Sequence, residues 1–277
     1  MGQRVKAWRK LAGSLWAPPD DPQFYGEIQV DAAAMLAYID EARRRSGAHV
    51  TVTHLVGRAV AYGLTEVPSL GVRLAFGREY PRESTDVFFI VAAPGEQLSG
   101  VKVVSTDTKS AVQVARELEQ RSRAIERDED PEFGRTKALL QWMPAPLLRP
   151  AMRLSAFLTS DLNLDLPGLG LPRQPFGGAM VTSIGMWGIS RAISPLARHY
   201  RVPVLVLVGA VEEQPVVVAG RVVARPMLTL TATFDHRYAD GLQAAELAKA
   251  VRAYLSHPAA FEPPLPAWEP RETPAAT

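Results

Sequence analysis

The chain has 277 residues, of which 47% are hydrophobic and 22% charged, with a formal net charge of +2. That is enough to bury a large core, as one large domain or two small ones, and it lacks the global basic excess of a nucleic-acid binder. The absence of cysteine excludes thiol nucleophiles, thiolate zinc sites, iron–sulfur ligation and disulfides. This fits a cytoplasmic protein, as does the lack of an apolar run after the basic start M-G-Q-R-V-K-A-W-R-K.

Taken in order, residues 1–16 read as a short basic amphipathic helix with Val5, Trp8, Leu11 and Trp16 apolar, ended by P-P-D-D-P. Q-F-Y-G-E-I-Q-V at 23–30 reads as a strand. Asp31 then suits the N-cap of a helix through Met35, Leu36, Ile39 and Ala42, whose closing R-R-R complements the helix dipole. A second helix carries Leu55, Val56, Ala59, Val60 and Leu64; His54 near its start is read as structural rather than as a ligand. Strands are expected at 72–80 and 86–93. The second is apolar on both faces and so belongs in the middle of a sheet. A loop at 95–100 and a short strand at 101–104 follow. From Thr108 a helix places Val112, Ala115, Leu118 and Ile125 on one stripe and runs into the charged E-R-D-E-D-P.

The stretch 138–158, A-L-L-Q-W-M-P-A-P-L-L-R-P-A-M-R-L-S-A-F-L, is apolar but broken by Pro144, Pro146 and Pro150 and charged by Arg149 and Arg153. A transmembrane helix does not fit this pattern. Two short amphipathic helices fit better, buried against the protein, a partner or a membrane surface, with the membrane ranked last. A Leu-, Pro- and Gly-rich loop at 162–175 leads to a strand and Gly-bounded turn at 180–188. An apolar strand at 202–211 is expected to turn at E-E-Q-P, and a hairpin over 216–223 turns around Ala219-Gly220. A helix at 242–255 closes the fold, and the Pro/Ala-rich tail from 257 is expected to be poorly ordered. Mixed strands and helices with a late antiparallel run make the chain α/β or α+β with a mixed sheet.

The chemistry concentrates in R-P-M-L-T-L-T-A-T-F-D-H-R-Y-A-D-G-L at 225–242. Leu228, Leu230, Ala232 and Phe234 alternate with Thr229, Thr231 and Thr233, the period of a strand with two different faces. His236 follows directly after it, with Asp240 beyond. An imidazole there can take a proton from a thiol or hydroxyl near neutrality. Asp240 either orients it or holds the turn by pairing with an arginine. A serine hydrolase would need a G-x-S-x-G elbow, which is missing, and no metal site is read in the His and carboxylate spacing.

This run resembles the active-site signature of the 2-oxo acid dehydrogenase acyltransferase catalytic domain, the dihydrolipoamide acyltransferase core, whose fold is that of chloramphenicol acetyltransferase. V-T-S-I-G-M-W-G, P-V-V-V-A-G-R-V-V-A-R-P-M-L-T-L, V-T-H-L-V-G-R-A-V-A-Y-G-L-T-E-V-P, D-V-F-F-I-V-A-A-P-G-E-Q-L and T-K-S-A-V-Q-V-A-R-E-L resemble further family segments, in order. The resemblance implies an α+β two-layer sandwich with a mixed sheet and a coenzyme A-dependent acyl transfer. His236 would be general base, Thr182 oxyanion donor, and Ser183 and Gly185 beside it substrate-binding. Asp240 would hold the catalytic loop through an arginine, for which Arg9 is the candidate. It also implies a homotrimer whose sites lie between subunits, and coenzyme A as substrate with no metal.

Departures from the family pattern qualify that picture. The chain reads as one catalytic domain over 1–256, with an insertion at about 130–175 and a flexible tail at 257–277. No D-K-A lipoylation site is present, and Lys249 in L-A-K-A sits on a helix. A lipoyl substrate would therefore come from a separate protein. The tail lacks the apolar end that joins trimers into cages, which favours a free trimer. A non-catalytic scaffold and a small-molecule acetyltransferase of the chloramphenicol type are the competing readings.

Overall fold

A computed structural model of the chain describes residues 21–93, 97–126 and 144–265. The helix expected at 1–16, Arg9, and the first part of the 138–158 stretch lie outside these residues. In chain order the strands are β1 (Gln23–Asp31), β2 (Val72–Ala75), β3 (Arg78–Pro81), β4 (Val87–Ala93), β5 (Gln97–Val103), β6 (Ala179–Ser183), β7 (Val204–Val218) and β8 (Arg221–Asp235). The helices are α1 (Ala33–Ser46), α2 (Val52–Glu66), α3 (Ala111–Glu126), α4 (Ala145–Ala156), α5 (Gly241–Ser256) and the single turn α6 (Pro258–Phe261).

Six strands form one sheet in the order β1-β8-β7-β6-β4-β5, with β2 and β3 as a separate hairpin. β4, β6 and β7 run parallel and the remaining pairs antiparallel, so the sheet is mixed, as expected. Alternation along the strands decides what covers each face. Val87, Phe89, Val181, Val206, Leu228 and Leu230 turn to one side, where Met35 and Ile39 of α1, Leu55 of α2, Leu118 of α3 and Leu247 of α5 meet them. Phe88, Met180, Leu205 and Leu207 turn to the other, against Leu196 and Val202. The apolar strand 86–93, expected in the middle of the sheet, is interior but only one place in from the edge strand β5, and residues of both its faces are buried.

Several local expectations change. The strand expected at 72–80 is a hairpin, because Phe76 and Gly77 both take left-handed backbone (φ 52° and 69°). β5 begins at Gln97 and pairs with β4 as far as Ala93, so most of the expected 95–100 loop is strand. E-E-Q-P makes no turn: β7 runs through it to Val218, with a register shift between Val208 and Val211. β7 pairs with β6 only as far as Val208, so Pro215 lies on an edge stretch of β7, where a missing N–H is tolerated. Asp31 accepts from the N–H of Ala33 at 2.9 Å, but Ala32 holds the N-cap position, so α1 starts one residue later than the expected cap implies.

The tail is the largest correction. Pro258, Phe261, Glu262 and Leu265 pack against the fold, so the first part of the expected tail is held to it, while residues 266–277 lie outside the described residues. Phe261 stacks on Tyr254 with centroids 5.0 Å apart. Glu262 is fully buried: its carboxylate accepts from the Ala111 N–H at 2.8 Å and from Tyr38 and Tyr254, and pairs with Arg58 at 3.4 Å. Burial and the adjacent Glu262 charge push both tyrosine hydroxyls well above their ordinary value. A proline- and alanine-rich composition hid one aromatic and one carboxylate that tie this segment to four elements.

Candidate active site

The threonine face of β8 explains how the site is held. Leu228, Leu230 and Phe234 enter the helical core, while Thr229, Thr231 and Thr233 are buried on the opposite face. An extended segment, 189–197, crosses them there. Its carbonyls at Ala192 and Ser194 accept from Thr231 and, at 2.7 Å, from Thr233, so the buried hydroxyls are satisfied. The segment is also stitched to β7 through Ala210 N–H to the Ile189 carbonyl at 2.9 Å. This approach needs glycine: a Cβ on Gly209 would sit 2.0 Å from the Ser190 carbonyl oxygen. A Cβ on Gly185 would sit 2.6 Å from the Gly209 oxygen. Gly185, expected to bind substrate, thus has a packing requirement of its own.

β8 ends at Asp235, which is buried. Its carboxylate takes the Arg237 N–H at 3.0 Å and the Arg237 guanidinium at 2.9 Å, and its own N–H donates to the Pro203 carbonyl at 3.0 Å. The His236 N–H donates to the Pro22 carbonyl at 2.7 Å. The imidazole itself is exposed, 5.0 Å from the Phe24 ring, which is stacked on Phe234. Tyr238 is buried behind the loop, accepting from the Leu74 N–H at 3.1 Å and donating to the Arg201 carbonyl at 3.3 Å. The backbone of His236 is therefore fixed from several sides while its ring faces outward.

Asp240 is the N-cap of α5. It accepts from the Leu242 N–H at 2.8 Å, and Gln243 reciprocates by accepting from the Asp240 N–H at 2.9 Å. These bonds make it a scaffold for the turn, secured through a capping box. Arg9, the expected ion-pair partner, lies outside the described residues. Asp235, Arg237 and Tyr238 are the loop-building residues that sequence reasoning missed. The signal was present as a carboxylate at a strand end with an arginine two positions on.

Thr182, Ser183 and Gly185 share one lining. They line a cavity of about 810 Å³ with Ile90, Trp187, Leu207, Arg43, His49 and His54. His54 stands at the third position of α2, where its Nδ1 accepts from the Thr51 N–H at 3.1 Å. Burial above all, then repulsion from His49 and Arg43, pushes its pKa down to about 4, so the ring is neutral with its proton on Nε2. The structural reading of His54 agrees with this geometry, although the same ring also borders the cavity.

One copy of the chain does not bring Thr182 and His236 together. Thr182 pairs with Leu207, and Leu207 with Thr231. At about 3.3 Å per residue the run from Thr231 to His236 covers roughly 16 Å, and two strand spacings add roughly 10 Å sideways, about 19 Å in all. A hydrogen bond to a reacting oxygen needs a heavy-atom distance near ~3 Å.

The family model described as 2-oxoacid dehydrogenases acyltransferase (catalytic domain) matches residues 176–262. The lipoamide acyltransferase component of the branched-chain alpha-keto acid dehydrogenase complex of Pseudomonas aeruginosa is 40% identical over 89 residues, 31% of this chain and 20% of that protein. The mitochondrial dihydrolipoyllysine-residue succinyltransferase component of the 2-oxoglutarate dehydrogenase complex of Saccharomyces cerevisiae is 24% identical over 260 residues, 93% of this chain and 46% of that protein. The chain thus spans less than half the length of either relative. Among solved structures, a probable dihydrolipoamide acetyltransferase from Listeria monocytogenes superposes with a TM-score of 0.65 at 18% identity, covering 97% of this chain and 98% of that one. The cubic core of the pyruvate dehydrogenase multienzyme complex superposes with the same TM-score at 19% identity, covering 94% and 93%. The match to the 2-oxoacid dehydrogenases acyltransferase (catalytic domain) model thus covers the stretch that holds Thr182, Ser183, Gly185, His236 and Asp240, and the fold is similar to that of dihydrolipoamide acetyltransferase cores across nearly the whole chain.

Proposed function

We propose that the protein transfers an acyl group between coenzyme A and a thiol such as dihydrolipoamide carried by a separate protein, at sites built between copies of a homotrimer. His236 of one copy takes the thiol proton, and the thiolate attacks the thioester carbonyl. The hydroxyl of Thr182 from the neighbouring copy donates to the oxyanion that forms. Collapse of the tetrahedral intermediate expels the other thiolate, which recovers the proton from the imidazolium. A positioned base contributes ~10²–10⁴-fold, and one oxyanion donor about 10²–10³-fold.

The observation that carries this reading is the division of the site. His236 is presented outward on a rigid loop, and Thr182 borders a cavity at a distance that a single copy cannot bridge. Exposed Met186, Trp187, Ile189 and Ile193 beside that cavity suit coverage by a second copy. The test is formation of S-acyl-dihydrolipoamide from acyl-CoA and free dihydrolipoamide, followed by mass spectrometry across several acyl groups. Turnover that depends on both His236 and Thr182 supports the proposal. A protein that folds and assembles but yields no thioester with any acyl-CoA is a scaffold instead.

A further inference from the structure

Helix α4 carries an apolar ridge that the other described residues leave open. Leu147 (55% exposed), Pro150, Leu154 (59%) and Phe157 (42%) follow one another at helical spacing along its outer side. The tip of the β2–β3 hairpin extends the ridge. Phe76 is 63% exposed at φ 52°, a backbone conformation that favours glycine or asparagine, and its ring meets Phe157 edge-on at 6.2 Å. Two separate elements thus hold aromatic and aliphatic side chains outward as one patch, which differs from the scattered apolar residues of an ordinary surface.

The charge beside the ridge has one sign. Arg149 and Arg153 are exposed, and residues 144–160 contain no aspartate or glutamate. At the hairpin, Arg78 and Glu79 are both exposed and offset each other. Beneath the ridge the chain is anchored: Arg73 donates to the carbonyls of Ser160 and Asp161 at 2.9 and 2.7 Å, and Arg201 pairs with the Asp161 carboxylate at 2.8 Å. The Arg201 carbonyl is the one that accepts from Tyr238, so this anchor shares a hydrogen-bonded framework with the His236 loop.

We propose that α4 and the Phe76 tip dock the protein onto an anionic lipid bilayer, lying in its interface. An amphipathic helix with an apolar ridge and flanking arginines has the composition for that position, and the arginine charge favours acidic headgroups. A two-fold contact of this ridge with its own copy would instead bring Arg149 and Arg153 towards like charges. Among the described residues no helix is long and apolar enough to cross a membrane, so the contact is peripheral. The membrane surface, ranked last from the sequence, moves ahead because the ridge turns away from the core.

Flotation of the purified full chain with vesicles tests this independently of acyl transfer. The protein is expected to float with phosphatidylcholine vesicles containing phosphatidylglycerol and to be released partly by salt. Leu154→Ser combined with Phe157→Ser should lower partitioning at least about tenfold without changing the urea midpoint. Arg149→Glu with Arg153→Glu should abolish the preference for the anionic vesicles. Failure to float with either vesicle, or flotation undiminished in the Ser double variant, overturns the proposal. A fall in assembly mass for that variant, with vesicle binding intact or absent, would make the ridge an interface between copies and overturn it as well.

Discussion

His236 illustrates how a flexible task is given to a rigid backbone. Its peptide N–H is held by Pro22, its neighbours are fixed by Asp235 and Tyr238, and only the imidazole is free to meet a substrate. His236→Ala is expected to lower turnover by ~10²–10⁴ with the fold intact, measured as S-acyl-dihydrolipoamide formation; a loss under tenfold removes the general-base role. Thr182→Val should cost about 10²–10³ in turnover with little change in KM, and Thr182→Ser should recover most of it, since the donor is a hydroxyl. His54 has a different signature. Folded, it stays neutral down to about pH 4; unfolded, it titrates near 6.5. Between those values the unfolded chain binds the additional proton, so stability is lost as pH falls from about 6.5 towards 4. His54→Gln keeps an acceptor for the Thr51 N–H and removes the titration. Its urea midpoint should therefore fall less than that of the parent between about pH 7 and pH 5.

At the scale of elements, the decisive stretch was largely legible. The alternation of β8 and the turn at Ala219–Gly220 could be read from the sequence, and so could the helix closing the fold. What covers the threonines could not, because the Ala192 and Ser194 carbonyls arrive from a segment far away in the chain and no local pattern announces them. E-E-Q-P was misread for the same kind of reason: its prolyl residue is acceptable only because β6 pairs no further than Ser183. The start of the tail looked disordered because alanine and proline dominate it, while Phe261 and Glu262 pack it into the fold. Removing one member of a buried pair leaves the other charge without compensation, so Glu262→Ala should cost about 3–5 kcal/mol, read from urea unfolding. A change under about 1 kcal/mol would mean that the Arg58–Glu262 cluster is replaceable.

For the molecule as a whole, the arrangement of catalytic groups was the least legible feature. The sequence places Thr182 and His236 on neighbouring parts of one motif-rich region, and only strand register reveals that they point to opposite ends of the sheet. If each site takes its histidine from one copy and its threonine from the next, the assembly is the unit of function, as in other closed rings joined by unlike surfaces. Mixing two inactive chains tests this most directly. His236→Ala and Thr182→Val are coexpressed, the mixed assemblies purified, and S-acyl-dihydrolipoamide formation measured per site. Random mixing should restore roughly a quarter of parental activity, because that share of sites receives an intact histidine and an intact threonine from different copies. Mixed assemblies no more active than the separate variants would contradict a site shared between subunits.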